Sequence, residues 1–96
     1  MTLPYRLRLP EDLRSLIQCL HPDLKRKVRA ALEQILQHPY SGKALREDLA
    51  GLRSFPVGKF WIIYRPSSRS IEIVAIGPRK NVYKDTLRLI RREERQ

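Results

Sequence analysis

Residues 51–83, from Gly51 to Tyr83, read GLRSFPVGKFWIIYRPSSRSIEIVAIGPRKNVY. Phe60 to Tyr64 is aromatic and β-branched throughout and continues to Arg65, which predicts the strongest strand of the chain. Leu52 to Val57 is a second strand, confined by Pro56 to a sheet edge or a bulge because proline has no N–H to give a ladder. Gly58 and its neighbours make the turn between them. Pro66-Ser67-Ser68-Arg69 has the side chains of a hairpin loop. Ile71 to Ile76, apolar apart from Glu72, follows as a strand buried on most of both faces, and Gly77-Pro78 ends it. The three strands make an antiparallel meander, and the basic side chains between them mark this stretch as the place for chemistry.

The flanks read as helical packaging. Leu3, Tyr5, Leu7 and Leu9 alternate with Pro4, Arg6 and Arg8, the pattern of a half-buried strand at a sheet edge or start. Pro10, Glu11 and Asp12 suit the first turn of a helix, and Leu13, Leu16, Ile17 and Leu20 give that helix one apolar stripe. His21-Pro22-Asp23 breaks it. Leu24, Val28, Ala31, Leu32, Ile35 and Leu36 form a longer stripe, so the two helices make an antiparallel hairpin. His38-Pro39-Tyr40-Ser41-Gly42 stops the second helix, and Lys43 to Leu49 is a connector with some helical character. Asn81 caps a closing helix whose apolar side is Val82, Leu87 and Ile90. Helices segregate from a meander, so the class is α+β, in a single domain spanning 1–96.

Charge bounds the partners. The 96 residues carry 20 Lys and Arg against 10 Asp and Glu, a formal +10 with a pI near 10.5. Such a field favours polyanions, whether nucleic acid, an acidic membrane surface or an acidic protein, and names no reaction. Lys25, Arg26, Lys27 and Arg29 crowd the start of the second helix, against its dipole. They read first as a solvated face and second as a phosphate contact. Cys19 is the sole cysteine, so no internal disulfide forms, and its place between Leu16 and Leu20 reads as a buried, inert thiol. His21 and His38 lack partners at metal-ligand spacing and read as structural or exposed. No metal and no cofactor is expected. No leader segment and no apolar run of membrane-spanning length stands out, so the expected location is cytoplasmic, away from membrane.

The segments DLAGLRSF, KFWIIYR and IEIVAIGPRKNVY, with this order of elements, resemble the RelE/ParE superfamily of bacterial and archaeal toxins, from about Tyr5 to Arg92. The most specific part is the apolar strand ending in Gly77, then Arg79 and, four residues on, Tyr83. The resemblance implies a helical hairpin packed on a curved antiparallel sheet of about four strands, with a C-terminal helix. RelE-like members cut messenger RNA in the ribosomal decoding site without metal; ParE-like members share the fold and inhibit DNA gyrase. Both are neutralised by an antitoxin. The expected function is therefore a type II toxin acting as a metal-independent, ribosome-dependent mRNA endonuclease that inhibits translation. The alternatives are a ParE-like gyrase inhibitor, or an attenuated toxin surviving as an antitoxin-binding module. The implied partners are a cognate antitoxin, mRNA on the ribosome, and DNA only through the antitoxin.

Carried onto this chain, the resemblance gives Arg79 the scissile phosphate and Tyr83 the nucleotide, to orient or stack it and to share in proton transfer. Lys59 matches a basic position of the middle hairpin loosely. Arg53, Arg65 and Lys80 join as phosphate contacts from charge and placement, and Trp61 as a surface on which a base stacks. The chain also departs from the family. Many relatives read Phe-Arg-Val-Gly and Phe-Arg-Ile-Ile-Tyr where this one has Pro56 and Trp61, and some place a histidine where Pro78 stands. Two arginines of the active face are thus absent, which weighs against strong nuclease activity more than against the fold.

Overall fold

Gly58 and Lys59 close a two-residue turn, and Gly58 takes the left-handed conformation (φ 61°) that glycine adopts without steric cost. That turn sets the register of the central hairpin: Val57 pairs with Phe60, Pro56 with Trp61, Phe55 with Ile62, Ser54 with Ile63 and Arg53 with Tyr64. Because strand side chains alternate, Trp61, Ile63, Ser54 and Pro56 share one face of the sheet, while Ile62, Tyr64, Arg53 and Phe55 share the other.

The computed structural model describes residues 5–94. Its elements are β1 (Arg6–Arg8), α1 (Glu11–Gln18), α2 (Pro22–Gln37), β2 (Lys43–Ala44), a 3-10 turn (Glu47–Leu49), β3 (Arg53–Val57), β4 (Phe60–Pro66), β5 (Ser70–Pro78) and α3 (Arg79–Glu94). The strands form one sheet in the order β1-β5-β4-β3-β2. The class is α+β as the sequence indicates, and the meander β3-β4-β5 is antiparallel. Two details differ. The sheet has five strands and is mixed, since β1 runs parallel to β5, and the connector expected at Lys43 to Leu49 supplies the short β2 and the 3-10 turn. Leu3 and Pro4, assigned to the first strand, lie outside the described residues.

The sheet is covered on both sides. Ile17 of α1 and Val28, Ala31, Leu32 and Ile35 of α2 pack on Val57, Ile62, Tyr64, Ile71, Ile73 and Ile76. On the opposite face Val82 of α3 closes over Leu52, Ile63 and Ala75, with Trp61, Tyr83 and Ile90 packed around them. Val28, Ile35, Ile62, Ile71 and Ile73 are fully buried, each contributing roughly 1.5–3 kcal/mol against the entropy of ordering the chain. Pro56 lies past the end of β2, where one side of β3 is open, in keeping with its missing N–H.

Several local readings are corrected. Cys19 is exposed, because α1 ends at Gln18 and the thiol sits in the turn that follows. Strand β5 ends at Pro78, but Gly77 and Pro78 belong to it and pair with β4, opposite Trp61 and Phe60. Helix α3 starts directly at Arg79, so Asn81 is inside it rather than its cap. His21 does have a structural role: its Nδ1 accepts from the Asp23 N–H, 3.2 Å away, and caps α2.

Candidate functional site

The site is built where β5 passes straight into α3. Arg79 and Tyr83 lie one helical turn apart on α3 and so share a face. That face turns toward Trp61 of β4. The cross-strand neighbours of Trp61 are Pro56 and Gly77, both compact, which leaves the indole open to the helix. The Arg79 guanidinium carbon lies 5.7 Å from the indole centroid, within the range of a cation–π contact. The Tyr83 ring packs against the indole at 6.5 Å between centroids, tilted by 44°. Beyond it, the Tyr83 hydroxyl reaches Ser54 Oγ at 3.4 Å.

Arginine, two aromatic rings and a buried hydroxyl thus run in one line across the sheet. Ser54 and Thr86 are the buried polar side chains among the described residues; Thr86 Oγ1 donates to the Val82 carbonyl inside α3, while Ser54 faces Tyr83. Nothing singled Ser54 out in the sequence, although the two-residue turn places it on Trp61's face by parity alone.

Electrostatics concentrate at the same corner. The first turn of α3 holds Arg79 and Lys80 and no acid. Two cations therefore sit beside the positive end of the helix dipole, an arrangement that favours an anion. Lys59 is exposed in the β3–β4 turn, at the same end of the sheet, because Phe60 pairs with Pro78. The structure thus brings Arg79, Tyr83 and Trp61 together, with Lys80 and Lys59 exposed at the same end of the sheet.

Arg65 and Arg53 are elsewhere. Arg65 shares the face but lies roughly 13 Å along β4 from Trp61 at about 3.3 Å per residue. It is engaged by Glu72 at 3.0 Å and Glu93 at 3.9 Å, joining the sheet to the far end of α3. Arg53 is on the opposite face. Its Nη1 donates to the carbonyls of Gly42 (2.6 Å) and Tyr40 (3.1 Å), and its guanidinium stacks over the Tyr40 ring at 4.9 Å. It braces the loop between α2 and β2. Tyr64 completes that brace: its hydroxyl accepts from the Gly42 N–H (3.0 Å) and donates to the Pro39 carbonyl (2.8 Å). Burial pushes the Tyr64 phenol above its ordinary value, with the Gly42 N–H and the Arg53 charge opposing.

Chemically, the α3 corner can hold a phosphate through Arg79, offer ring faces to a base and present one phenolic hydroxyl. Among the described residues no three His, Cys, Asp or Glu side chains come together as a metal site. No helix of the described residues is long and apolar enough to cross a membrane.

This architecture is that of the RelE/ParE superfamily of toxins. The chain is similar to a chain of the toxin–antitoxin complex RelBE2 from Mycobacterium tuberculosis, at 26% identity and a TM-score of 0.67, over 82% of this chain and 95% of that one. It shares its fold with a chain of the archaeal RelE–RelB complex from Pyrococcus horikoshii (19% identity, TM-score 0.65, 79% and 96% covered). The same holds for a double arginine-to-alanine variant of the Escherichia coli toxin RelE in the free state (12% identity, TM-score 0.73, 94% and 97% covered). No curated protein sequence matches. The chain belongs to the family of ParE toxins of type II toxin–antitoxin systems (parDE), which it matches over residues 5–83, a span that includes Trp61, Arg79 and Tyr83.

Proposed function

We propose that this toxin acts on translated messenger RNA, cleaving it without a metal ion, and that a cognate antitoxin protein neutralises it. The observation that carries the reading is the convergence of Arg79, Trp61 and Tyr83 at the cationic start of α3. In cleavage of this kind the ribose 2′-oxygen gives its proton to solvent water and bonds to phosphorus, while the bond from phosphorus to the 5′-oxygen breaks and that oxygen is protonated. Arg79 neutralises the charge gathering on the phosphoryl oxygens, and the guanidinium leaves Trp61 to do so. In this reading Trp61 then offers its face to a base, and Tyr83 orients or stacks the nucleotide and shares in proton transfer once its hydroxyl leaves Ser54. Lys59 and Lys80 add phosphate contacts at the rim. The partner reading is supported by the solved relatives from M. tuberculosis and P. horikoshii, both toxin–antitoxin complexes. Any contact with DNA would be made by the antitoxin.

A second reading is inhibition of DNA gyrase without cleavage. One observation favours it: the matched family is that of ParE toxins; Pro56 and Trp61, which bring no charge to the face beside Arg79, fit it as well. The two readings are separated by one pair of assays on the purified chain. Cleavage of mRNA on programmed ribosomes, lost in Arg79→Ala, supports the nuclease; inhibited gyrase supercoiling with intact mRNA overturns it. An attenuated toxin is tested by Pro56→Arg with Trp61→Arg: cleavage that does not rise shows that the missing charges do not limit activity.

A further inference from the structure

The register that puts Ser54 beside Tyr83 also brings in a cation that charge alone did not single out. Lys43 of β2 pairs directly with Ser54 of β3. Residues directly opposite in an antiparallel pair point to the same face, with Cβ atoms about 4.5–5.5 Å apart. Ser54 shares the face of Trp61, so Lys43 does as well. A second observation agrees: Leu45, two residues on, packs into the cluster under α3 with Leu52, Ile63 and Val82. Lys43 is therefore one strand outward from the Ser54 hydroxyl that Tyr83 reaches at 3.4 Å.

The surroundings of Lys43 leave its ammonium for a ligand. The residue is exposed, and among the described residues it joins none of the ion pairs. Arg65, on the same face, is by contrast held by Glu72 and Glu93. The positions between Lys43 and the indole, Ser54 and Pro56, bring no charge. Arg79, where β5 ends, and Lys43, on the outer strand, thus stand on opposite sides of the Trp61–Tyr83 pair.

We propose that Lys43 is a second phosphate-binding residue, and that single-stranded RNA crosses the sheet from Arg79 over Trp61 and Tyr83 to Lys43. The inference rests on the RNA reading above and gives the bound chain a direction. Two strand spacings of about 4.8 Å and two residues of about 3.3 Å put Lys43 roughly 12 Å from Trp61. That is farther than one stacked nucleotide at about 3.4 Å per step, so the phosphate at Lys43 is not the one that reacts. A lysine suits this place, being a point charge on a flexible stem that follows a mobile backbone. It supplies on β2 the positive charge that Pro56 and Trp61 do not bring.

The test uses the intact chain and a labelled single-stranded RNA of about eight nucleotides, its 2′-oxygens methylated so that it binds without being cut. Affinity is read by anisotropy across a salt series, and stacking by emission of Trp61, the only tryptophan. Lys43→Ala should weaken binding about fivefold at 0.1 M salt and lower the slope of log affinity against log salt by about 0.7, the share of one single-stranded phosphate contact. Lys43→Arg should restore both values, and Lys43→Glu should weaken binding further. At saturation the change in Trp61 emission should be the same in wild type and Lys43→Ala. Unchanged affinity in Lys43→Ala, or a loss equal at every salt concentration, overturns the inference. Affinity lost in Arg79→Ala but kept in Lys43→Ala overturns it alone. A wild-type chain that does not bind, or binding indifferent to Arg79→Ala, overturns the RNA reading and the proposed path together.

Discussion

Replacing Tyr64 with phenylalanine isolates the brace that holds the α2–β2 loop on the sheet. The ring stays, so no cavity forms, but the hydroxyl that joins the Gly42 N–H to the Pro39 carbonyl is lost. Both residues are buried, so a donor and an acceptor are left without partners. At about 1–2 kcal/mol for each of the two stranded groups, the expected loss is about 2–4 kcal/mol. With a urea slope of about 2 kcal/mol per molar, the unfolding midpoint should fall by about 1–2 M at unchanged slope. A loss below about 0.5 kcal/mol would refute the brace. The same hydroxyl sets an alkaline limit. Burial raises the folded phenol's pKa above 10.0, so its contribution is fully present below pH 10.0 and is lost as pH rises through the folded value. Equilibrium unfolding of the Phe variant should lack that part of the alkaline loss.

Gly42→Ala attacks the same joint sterically. Its Cβ would lie 2.5 Å from the Tyr64 hydroxyl and 2.8 Å from the Ser54 carbonyl, and a strand carbonyl cannot swing aside. Overpacking of about 1–3 kcal/mol should lower the Tm by several degrees in a thermal melt. Arg53→Ala and Arg79→Ala should separate cleanly. The first loses hydrogen bonds to two carbonyls and about 1–2 kcal/mol of stability while RNA affinity at the α3 corner holds. The second leaves urea stability nearly intact, weakens RNA binding and changes Trp61 emission. His21→Ala removes the α2 cap and should cost about 0.5–1 kcal/mol by urea titration.

The meander, the helical hairpin and the closing helix were legible because each is written in local periodicity and turn residues. The partner of β1 was not. Alternation around Leu7 predicts a strand, yet pairing with Ser70 to Glu72 is a contact between distant parts of the chain. Pro78 read as a stop, but at the tip of β5 it keeps its pairing with Phe60. Within the candidate site, family likeness suggested Arg79 and Tyr83, and their spacing puts both on one helix face, whereas Trp61 departs from the family pattern and was chosen for its ring alone. Arg53 was a poorer choice for a physical reason available in the sequence. A two-residue turn at Gly58-Lys59 pairs residue 53 with residue 64, which puts it across the sheet from Trp61 and leaves Ser54 on the indole's face. Charge selected Arg53; register decided where it points. Cys19 misled similarly, since the residue that α1 buries is Ile17, two positions back and so on the other side of the helix, while Leu16 is exposed.

The α3 corner carries the proposed activity. The most direct measurement is a map of newly formed 5′ ends in messenger RNA from growing cells that express the wild-type chain, Arg79→Ala or Tyr83→Phe without a partner protein. Cuts confined to translated regions with wild type, abolished by Arg79→Ala and strongly reduced by Tyr83→Phe, are the predicted result. Growth arrest with intact messages, or cuts that persist in Arg79→Ala, would contradict it.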